Sequence, residues 1–343
     1  MEAKDREPSR TQHRRETYWV DSLTEGADKQ MTTTGTGCRI AARFEPDWPA
    51  EELPEFARWV EELGFEELWF SEDLEWSGGL VMAATALAHT RRLRVGLGLV
   101  PAVSRNVSTL AMEVAALARL APGRLTLAVG HGVSAWMEKV GARSNTPQAA
   151  LEETVVALRA LLAGERVTTE GRHVRLDDVG LGFPPATIPP ILIGTTGPQG
   201  LRAAGRSSDG VVLPEVCTPE AVRWARSTMN SAGETVVFAM LNVSDDASEA
   251  LAQTRSKMLP ILDLGIYPRM TEIAGLSDGG NNLTDATLQS MAAAGTPADC
   301  ARAIRDWADA GVDCVVLVAG GPDPRASYER LAREVLPLVH AVA

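Results

Sequence analysis

Short apolar runs alternate with longer amphipathic segments along most of the chain. Eight of the runs predict β-strands, and most are apolar at consecutive positions, as expected for strands covered on both faces. Helical periodicity fills the intervals, with predicted helix starts at Thr146-Pro147, Thr218-Pro219, Thr296-Pro297 and Asp323-Pro324. The predicted strands span 39–42, 66–70, 93–100, 125–130, 191–194, 211–213, 235–243 and 314–318.

Eight strand–helix units favour a closed (β/α)8 barrel, an α/β fold, over an open doubly wound sheet. Two long intervals break the repeat and are predicted to be insertions. The first, 165–189, shows the polar–apolar alternation of a small hairpin, and the second spans 260–295. Residues 1–36 are polar and lack a sustained period. We therefore expect a disordered N-terminal extension, with Met31 as an alternative start, followed by a barrel domain at 37–343.

Composition and charge narrow the classes of function. The 343 residues carry a net charge of −12, which argues against a nucleic-acid partner. No apolar run approaches the roughly 18 residues of a membrane span, and the N-terminal region has no targeting pattern, so a cytoplasmic location is expected. The cysteines lack C-x-x-C spacing, which predicts buried thiols rather than a zinc site; they are Cys38, Cys217, Cys300 and Cys314.

In a barrel of this kind, the side chains at the C-terminal ends of the strands form the active site. Glu72 and Asp73 follow the second strand, and adjacent residues on an extended backbone point in opposite directions. His131 follows the fourth strand between two glycines. Its imidazole either contacts a cofactor, exchanges a proton near neutral pH or holds the loop.

The fifth strand ends in Gly194-Thr195-Thr196-Gly197 and leads into a helix. Backbone N–H groups and two hydroxyls at a helix start suit a phosphate. A tight strand-to-helix turn would explain the two glycines equally well. The motif therefore predicts a phosphate site, but it does not distinguish phosphate binding from a tight turn.

The sequence gives less support to a dinucleotide-binding protein, a P-loop protein or a metal-dependent hydrolase. Gly96-x-Gly98 lacks the third glycine of a dinucleotide fingerprint, and the sequence has neither a P-loop nor H-E-x-x-H. A metal-dependent hydrolase would need several ligands on strand ends, and His131 is the single histidine there. That class stays as an alternative that predicts a bound divalent metal.

In this order, the strand-end motifs resemble the bacterial luciferase-like flavin and deazaflavin oxidoreductases over most of residues 38–343. Two blocks carry the likeness most specifically. The first, 97–132, holds the end of the third strand, the helix after it and LAVGHG; the second, 189–210, reads PPILIGTTGPQGLRAAGRSSDG. Within the family the chain is most similar to the reductases and dehydrogenases that use coenzyme F420.

The resemblance implies that the mouth of the barrel binds F420, with FMN as the alternative cofactor. It implies a non-prolyl cis peptide at Gly98-Leu99 behind the cofactor ring and a phosphate contact at the Thr-Thr-Gly motif. It also places His131 and Gly132 along the ring or its side chain. The predicted cofactor-binding residues are Glu72, Gly98, Leu99, His131, Gly132, Thr195, Thr196 and Gly197.

The chain lacks the acid–base residues that some members of this family use, so their mechanism cannot be transferred to it. Sugar-phosphate dehydrogenases of this family have Asp-His at strand two and Gly-Glu after strand four, where this chain has Glu72-Asp73 and Gly132-Val133. The histidine and glutamate used there as base and acid are missing. His131 is therefore the predicted catalytic proton carrier, with Asp73 as second choice.

The sequence thus predicts an oxidoreductase that transfers a hydride between F420 and a small organic substrate. The alternatives are an FMNH2-dependent two-component monooxygenase served by a flavin reductase, and a non-catalytic flavin-binding barrel. Trp76, Val133, Trp136 and the 260–295 insertion are expected to shape the substrate side. A homodimer is a further expectation from the resemblance.

Overall fold

A closed barrel of eight parallel strands forms the centre of the computed structural model, which describes residues 37–276 and 280–341. The predicted extension at 1–36 lies outside the described residues. Its strands are β1 (Arg39–Arg43), β2 (Glu67–Phe70), β3 (Arg94–Pro101), β4 (Leu125–Gly130), β7 (Ile191–Gly194), β8 (Gly210–Leu213), β9 (Glu234–Val243) and β11 (Cys314–Ala319). They pair in this order, and β11 pairs with β1 to close the barrel. Strands β5, β6 and β10 belong to the insertions described below. The predicted (β/α)8 barrel is confirmed.

Helices occupy the intervals between the strands. Their apolar faces pack on the outside of the barrel in one continuous core. The helices are α1 Leu53–Glu62, α2 Gly79–His89, α3 Val107–Leu120, α4 Ser134–Lys139, α5 Pro147–Leu162, α6 Pro198–Ser207, α7 Pro219–Met229, α8 Ala247–Asp263, α9 Pro268–Ile273, α10 Asp285–Met291, α11 Pro297–Asp309, α12 Pro324–Arg330 and α13 Leu336–His340. A 3₁₀ turn, Ala50–Glu52, precedes α1, and a π-helical turn, Leu331–Val335, joins α12 to α13.

Three of the four predicted helix starts have the expected side-chain caps. The Thr218 and Asp323 side chains accept hydrogen bonds from backbone N–H groups of α7 and α12. Thr296 and Asp299 form a reciprocal capping box at α11. Thr146 differs, because it makes no side-chain cap at α5.

Both predicted insertions contain regular structure. The first holds an antiparallel hairpin of β5 (Val167–Glu170) and β6 (Arg175–Val179), as expected. In the second, the sequence predicts no strand, and the structure differs at its C-terminal end. Ala292–Gly295 forms a further strand, β10, which pairs with the C-terminal part of β9, beyond the part that pairs with β8. Three alanines and a glycine carry no β-strand signal, so pairing with β9 decides their conformation.

Two glycines of the third strand are required by packing inside the barrel. A Cβ at Gly96 would overlap the Trp69 ring, and a Cβ at Gly98 would lie 2.9 Å from Phe238 Cζ. The Trp69 and Phe238 rings meet edge to face at a centroid distance of 5.8 Å. The spacing Gly-Leu-Gly in β3 thus leaves room for two aromatic side chains in the barrel interior.

A buried ionic cluster closes the amino-terminal end of the barrel. Glu67 is 1% exposed and accepts hydrogen bonds from Arg39 Nε at 2.6 Å and Trp69 Nε1 at 2.8 Å. Arg39 also pairs with Glu234 on β9, and Arg94 Nε lies 3.6 Å from Glu67. The cluster links β1, β2, β3 and β9 at the end opposite the expected site, which indicates a structural role.

Barrel closure brings distant parts of the chain together at β1. The Tyr328 hydroxyl, on α12, accepts a hydrogen bond from Arg43 N at 3.1 Å and donates to Leu317 O at 2.7 Å. Tyr328 is fully buried. It therefore fixes the C-terminal end of β1 against β11.

Two further sequence expectations concern the whole chain. All four cysteines are buried. Among the helices of the described residues, none combines the length and the apolar character needed to cross a membrane.

Candidate active site

An apolar floor lies at the carboxyl end of the barrel, where β3 is interrupted. The peptide bond Gly98–Leu99 is cis, as predicted, and the register of β3 against β4 shifts at this point. A Cβ at Gly130 or Gly194 would overlap Leu99 Cδ2. The glycines that end β4 and β7 therefore leave space for the Leu99 side chain, which packs on the barrel interior.

The buried arginine Arg43 lies among polar side chains at one side of the mouth. Arg43 ends β1, and its guanidinium donates to Ser71 Oγ at 2.7 Å and to Glu215 Oε1 at 3.0 Å. Glu45 Oε2 lies 3.5 Å from Arg43 Nε, and Asp73 Oδ2 lies 3.7 Å from Nη2. We call Arg43, Glu45, Asp73 and Glu215 the carboxylate cluster.

The carboxylate cluster holds three acids around one guanidinium, and this excess of negative charge favours protonation. Burial raises the pKa of Glu45 to about 7; Arg43 opposes the rise, and Glu215 and Asp73 reinforce it. Burial likewise raises the pKa of Asp73, against the attraction of Arg43. Glu45 Oε1 is buried and has no hydrogen-bond partner among the described residues. The cluster can thus hold a proton at neutral pH.

His131 follows β4 at the rim of the same mouth. Burial lowers the pKa of this imidazole, while a hydrogen bond with Gln148 opposes the change. Its Nε2 is buried and has no hydrogen-bond partner within 37–276 and 280–341. A neutral imidazole with one open nitrogen is suited to a hydrogen bond with a bound ligand. This fits the cofactor contact predicted for His131 better than the role of a charged acid.

The Thr-Thr-Gly motif follows β7, as predicted. Helix α6 begins at Pro198, and its N-cap residue, Gly197, makes no side-chain cap. A Cβ at Gly200 would overlap the Thr195 side chain, so the glycine lets the helix approach the motif. The half-buried Thr195 and Thr196 therefore stand at a helix start that can accept an anion. The phosphate contact stays a prediction.

Glu72 and Asp73 point apart, as their adjacency predicts. Glu72 Oε1 lies 2.9 Å from Arg105 Nη2, and its Oε2 accepts a hydrogen bond from Gly79 N at 3.2 Å. Both oxygens of Glu72 are therefore occupied at the start of α2, whereas Asp73 faces Arg43. A cofactor contact by Glu72 stays a prediction, and it would have to be shared with these partners.

Sequence reasoning missed part of the carboxylate cluster. Strand one was predicted to end at Ala42, so the roles of Arg43 and Glu45 were not recognised. The sequence does contain a signal for these two residues, because charged residues that directly follow a buried strand lie at the carboxyl end of the barrel. Tyr267, from the second insertion, also lies close to the cluster, since its pKa is raised by burial and further by Glu215 and Asp73.

The remaining sequence candidates differ in their exposure. Trp76 is 59% exposed, whereas Val133 and Trp136 are half-buried. Their roles on the substrate side stay predictions. Within the described part of the chain, no three or more His, Cys, Asp or Glu side chains form a group that could hold a metal ion.

Comparison with known proteins identifies the family. The model of the luciferase-like monooxygenases matches residues 23–314. The chain belongs to the luciferase-like monooxygenase family. This membership confirms the resemblance seen in the strand-end motifs.

Named members of the family extend over almost the same length. A 5,10-methylenetetrahydromethanopterin reductase of Methanolobus tindarius is 25% identical, over 85% of this chain and 98% of the relative. An F420-dependent glucose-6-phosphate dehydrogenase of Nakamurella multipartita is 28% identical, over 88% of this chain and 95% of the relative. The F420-dependent tetrahydromethanopterin reductase of Methanopyrus kandleri has the same fold, with a TM-score of 0.74, 19% identity and coverage of 88% and 99%.

Proposed function

We propose that this luciferase-like protein is an oxidoreductase that uses coenzyme F420 in hydride transfer to or from a small organic substrate. The proposal rests on three features at the carboxyl end of the barrel. The cis Gly98–Leu99 floor, the open nitrogen of His131 and the uncapped start of α6 lie at the ends of neighbouring strands. Full-length similarity to F420-dependent relatives supports this cofactor.

The residues present fit a deazaflavin. Leu99 would support one face of the ring, and His131 Nε2 would hydrogen-bond to it. Thr195, Thr196 and the start of α6 would hold the phosphate through hydroxyls and backbone N–H groups. When bound, the cofactor supplies the hydride-transfer chemistry. The protein orients the substrate and handles protons.

Proton transfer is assigned to the carboxylate cluster. A protonated Glu45 has one buried oxygen without a partner, and Asp73 shares the same guanidinium. Arg43 keeps the net charge of the cluster low enough for a proton to be taken up or released near neutral pH. Asp73 therefore remains a catalytic candidate, joined by Glu45, while His131 is assigned to binding.

The substrate is proposed to differ from a sugar phosphate. The positions where sugar-phosphate dehydrogenases have histidine and glutamate hold Asp73 and Val133 in this chain. Half-buried Val133, Trp136 and Tyr267 give the substrate side an aromatic and apolar character. We therefore expect an uncharged or weakly polar substrate over the exposed face of the ring.

Fluorescence titration of the purified protein with F420 and with FMN, oxidised and reduced, tests the cofactor. We expect saturable binding of F420 and weaker binding of FMN. Failure to bind either cofactor in either redox state would overturn the proposal. Bound F420 whose redox state no substrate can change would favour a non-catalytic flavin-binding barrel.

Single variants then test the proton assignment. Glu45→Gln and Asp73→Asn should each lower turnover by about 10²-fold or more while leaving F420 affinity within about twofold, because general acid–base catalysis contributes on that scale. Equal turnover in both variants and wild type would remove the carboxylate cluster from the mechanism.

The family name supports a second candidate, an FMNH2-dependent monooxygenase supplied by a flavin reductase. Oxygen consumption in the presence of a flavin reductase, compared with anaerobic F420 turnover, separates the two. A homodimer remains a proposal from the family resemblance, and size-exclusion chromatography with light scattering tests it. A cytoplasmic location remains a proposal from the sequence.

A further inference from the structure

A cleft beside the mouth is lined by basic side chains. It has a volume of about 710 Å³ and lies between the loop after β3, the segment before α5 and the turn of the β5–β6 hairpin. Arg105, Arg143, Arg172 and Arg175 line it, and no aspartate or glutamate does. In a chain with a net charge of −12, this concentration of positive charge indicates an anionic ligand.

The cleft lies next to the strand ends that form the proposed active site. Its wall begins at Ala102, whose N–H donates to Gly130 O at 2.9 Å, one residue before His131. Arg105 pairs with Glu72 after β2 and so stands between the two sites. Its Nη1 is buried and lacks a hydrogen-bond partner in the described part of the chain. A ligand chain that starts at α6 and crosses the end of β4 towards β3 would enter the cleft next to this nitrogen.

The hairpin turn that presents two of the arginines is held rigidly. Glu153 on α5 accepts hydrogen bonds from the backbone N–H groups of Arg172, His173 and Val174 at 3.3, 2.8 and 3.0 Å. A Cβ at Gly171 would lie 2.5 Å from Glu153 Oε2, so this residue must be small. The turn is therefore placed before a ligand arrives, which lowers the entropic cost of binding.

The guanidinium groups of the turn are available for a ligand. Arg172 and Arg175 are exposed, and neither has a carboxylate partner within 4.0 Å among the described residues. His173 Nε2, beside them, is 2.6 Å from Thr146 Oγ1, which ties the turn to the start of α5. This accounts for the missing cap at Thr146. Planar guanidinium groups bind carboxylates through paired hydrogen bonds.

We propose that the cleft binds a polycarboxylate, namely the chain of glutamates that coenzyme F420 carries beyond its phosphate. This inference rests on the proposed function, because it takes the ring to be bound at Leu99. A separate anionic substrate is the other source of the same chemistry. The phosphate itself is assigned to Thr195–Gly197, so the cleft would recognise the tail alone.

The test compares F420 bearing a single glutamate with F420 bearing several, because the two differ in the tail alone. Affinities are measured by fluorescence titration of the full chain at low and high salt. Wild type should bind the long-tailed form more tightly, and added salt should remove this preference. Arg172→Gln/Arg175→Gln should weaken long-tail binding by about tenfold and leave short-tail binding unchanged, since two charge-assisted contacts are lost.

The matched control is Arg91→Gln/Arg92→Gln, which removes the same charge from exposed arginines before β3, at the other end of the barrel. It should bind both forms like wild type. Equal affinity of wild type for both tail lengths would overturn the tail assignment and leave the cofactor proposal standing. An unchanged long-tail affinity in the cleft variant, with a raised KM for an anionic substrate, would also overturn it and assign the cleft to that substrate. Binding of neither form would overturn the proposed function itself, and the tail site with it.

Discussion

Glu45→Gln should make the protein more stable than wild type, and increasingly so as the pH rises. Burial raises the pKa of Glu45 from 4.5 to about 7 in the folded state. Below about pH 4.5 both the folded and the unfolded states hold the proton, so the pKa shift does not change the free energy of unfolding there. As the pH rises from about 4.5 to about 7, the unfolded chain ionises while the folded chain still holds the proton, so wild type loses stability, and the loss levels off above pH 7.

The magnitude follows from the two pKa values. The difference between 4.5 and about 7 corresponds to about 3 kcal/mol at full ionisation. Most of this, about 2–3 kcal/mol, develops between pH 5 and pH 8. Glutamine keeps the size of the side chain but cannot ionise, so the variant avoids the loss.

Urea unfolding, followed by tryptophan fluorescence at several pH values, measures the effect. The free energy of unfolding of the variant minus that of wild type should grow by about 2–3 kcal/mol from pH 5 to pH 8. Glu170→Gln is the matched control, because the same change at an exposed position of β5 removes no buried charge. If the difference between Glu45→Gln and wild type stays constant with pH, Glu45 does not hold a proton in the carboxylate cluster.

Three further substitutions test separate parts of the molecule. Gly194→Ala places a Cβ against Leu99 and should weaken F420 binding and cost about 1–3 kcal/mol in the free energy of unfolding; Gly182→Ala, where a Cβ meets nothing within 4 Å, should do neither. Glu67→Gln leaves the arginines of the amino-terminal cluster without their buried partner and should destabilise the fold by about 3–5 kcal/mol in urea, with F420 affinity unchanged. A changed affinity there would mean that this cluster also shapes the mouth. His131→Asn should reduce F420 affinity about tenfold in a fluorescence titration, and an unaltered dissociation constant would show that Nε2 does not contact the cofactor.

The barrel was predictable because its signals are local. Each barrel strand is a run of mostly buried residues bounded by polar or glycine-rich segments. This pattern is visible in the sequence without knowledge of the neighbouring strands. Helix α4 has six residues and left no periodic pattern of its own. Strand β10 depends on a neighbouring strand rather than on its own residues, as Ala292–Gly295 shows.

The site was predictable to the extent that strand ends define it. His131 and the Thr-Thr-Gly motif directly follow predicted strands, and Asp73 lies three residues after one. The partnership of Arg43 with Glu215 spans 172 residues and exists only once the barrel has closed. The raised pKa of Glu45 depends on that closure as well, so no local pattern contains it.

The bond between Tyr328 and the end of β1 has a consequence for synthesis of the chain. These partners are 285 residues apart. At about 5–20 residues per second, a ribosome needs roughly 15–55 s to make the intervening chain. During this time β1 has a neighbour on one side, β2, while the edge destined for β11 stays open. A growing polypeptide of this kind offers a β-edge for mispairing until almost its last helix has been translated, so slower translation should increase the need for chaperones in an expression host.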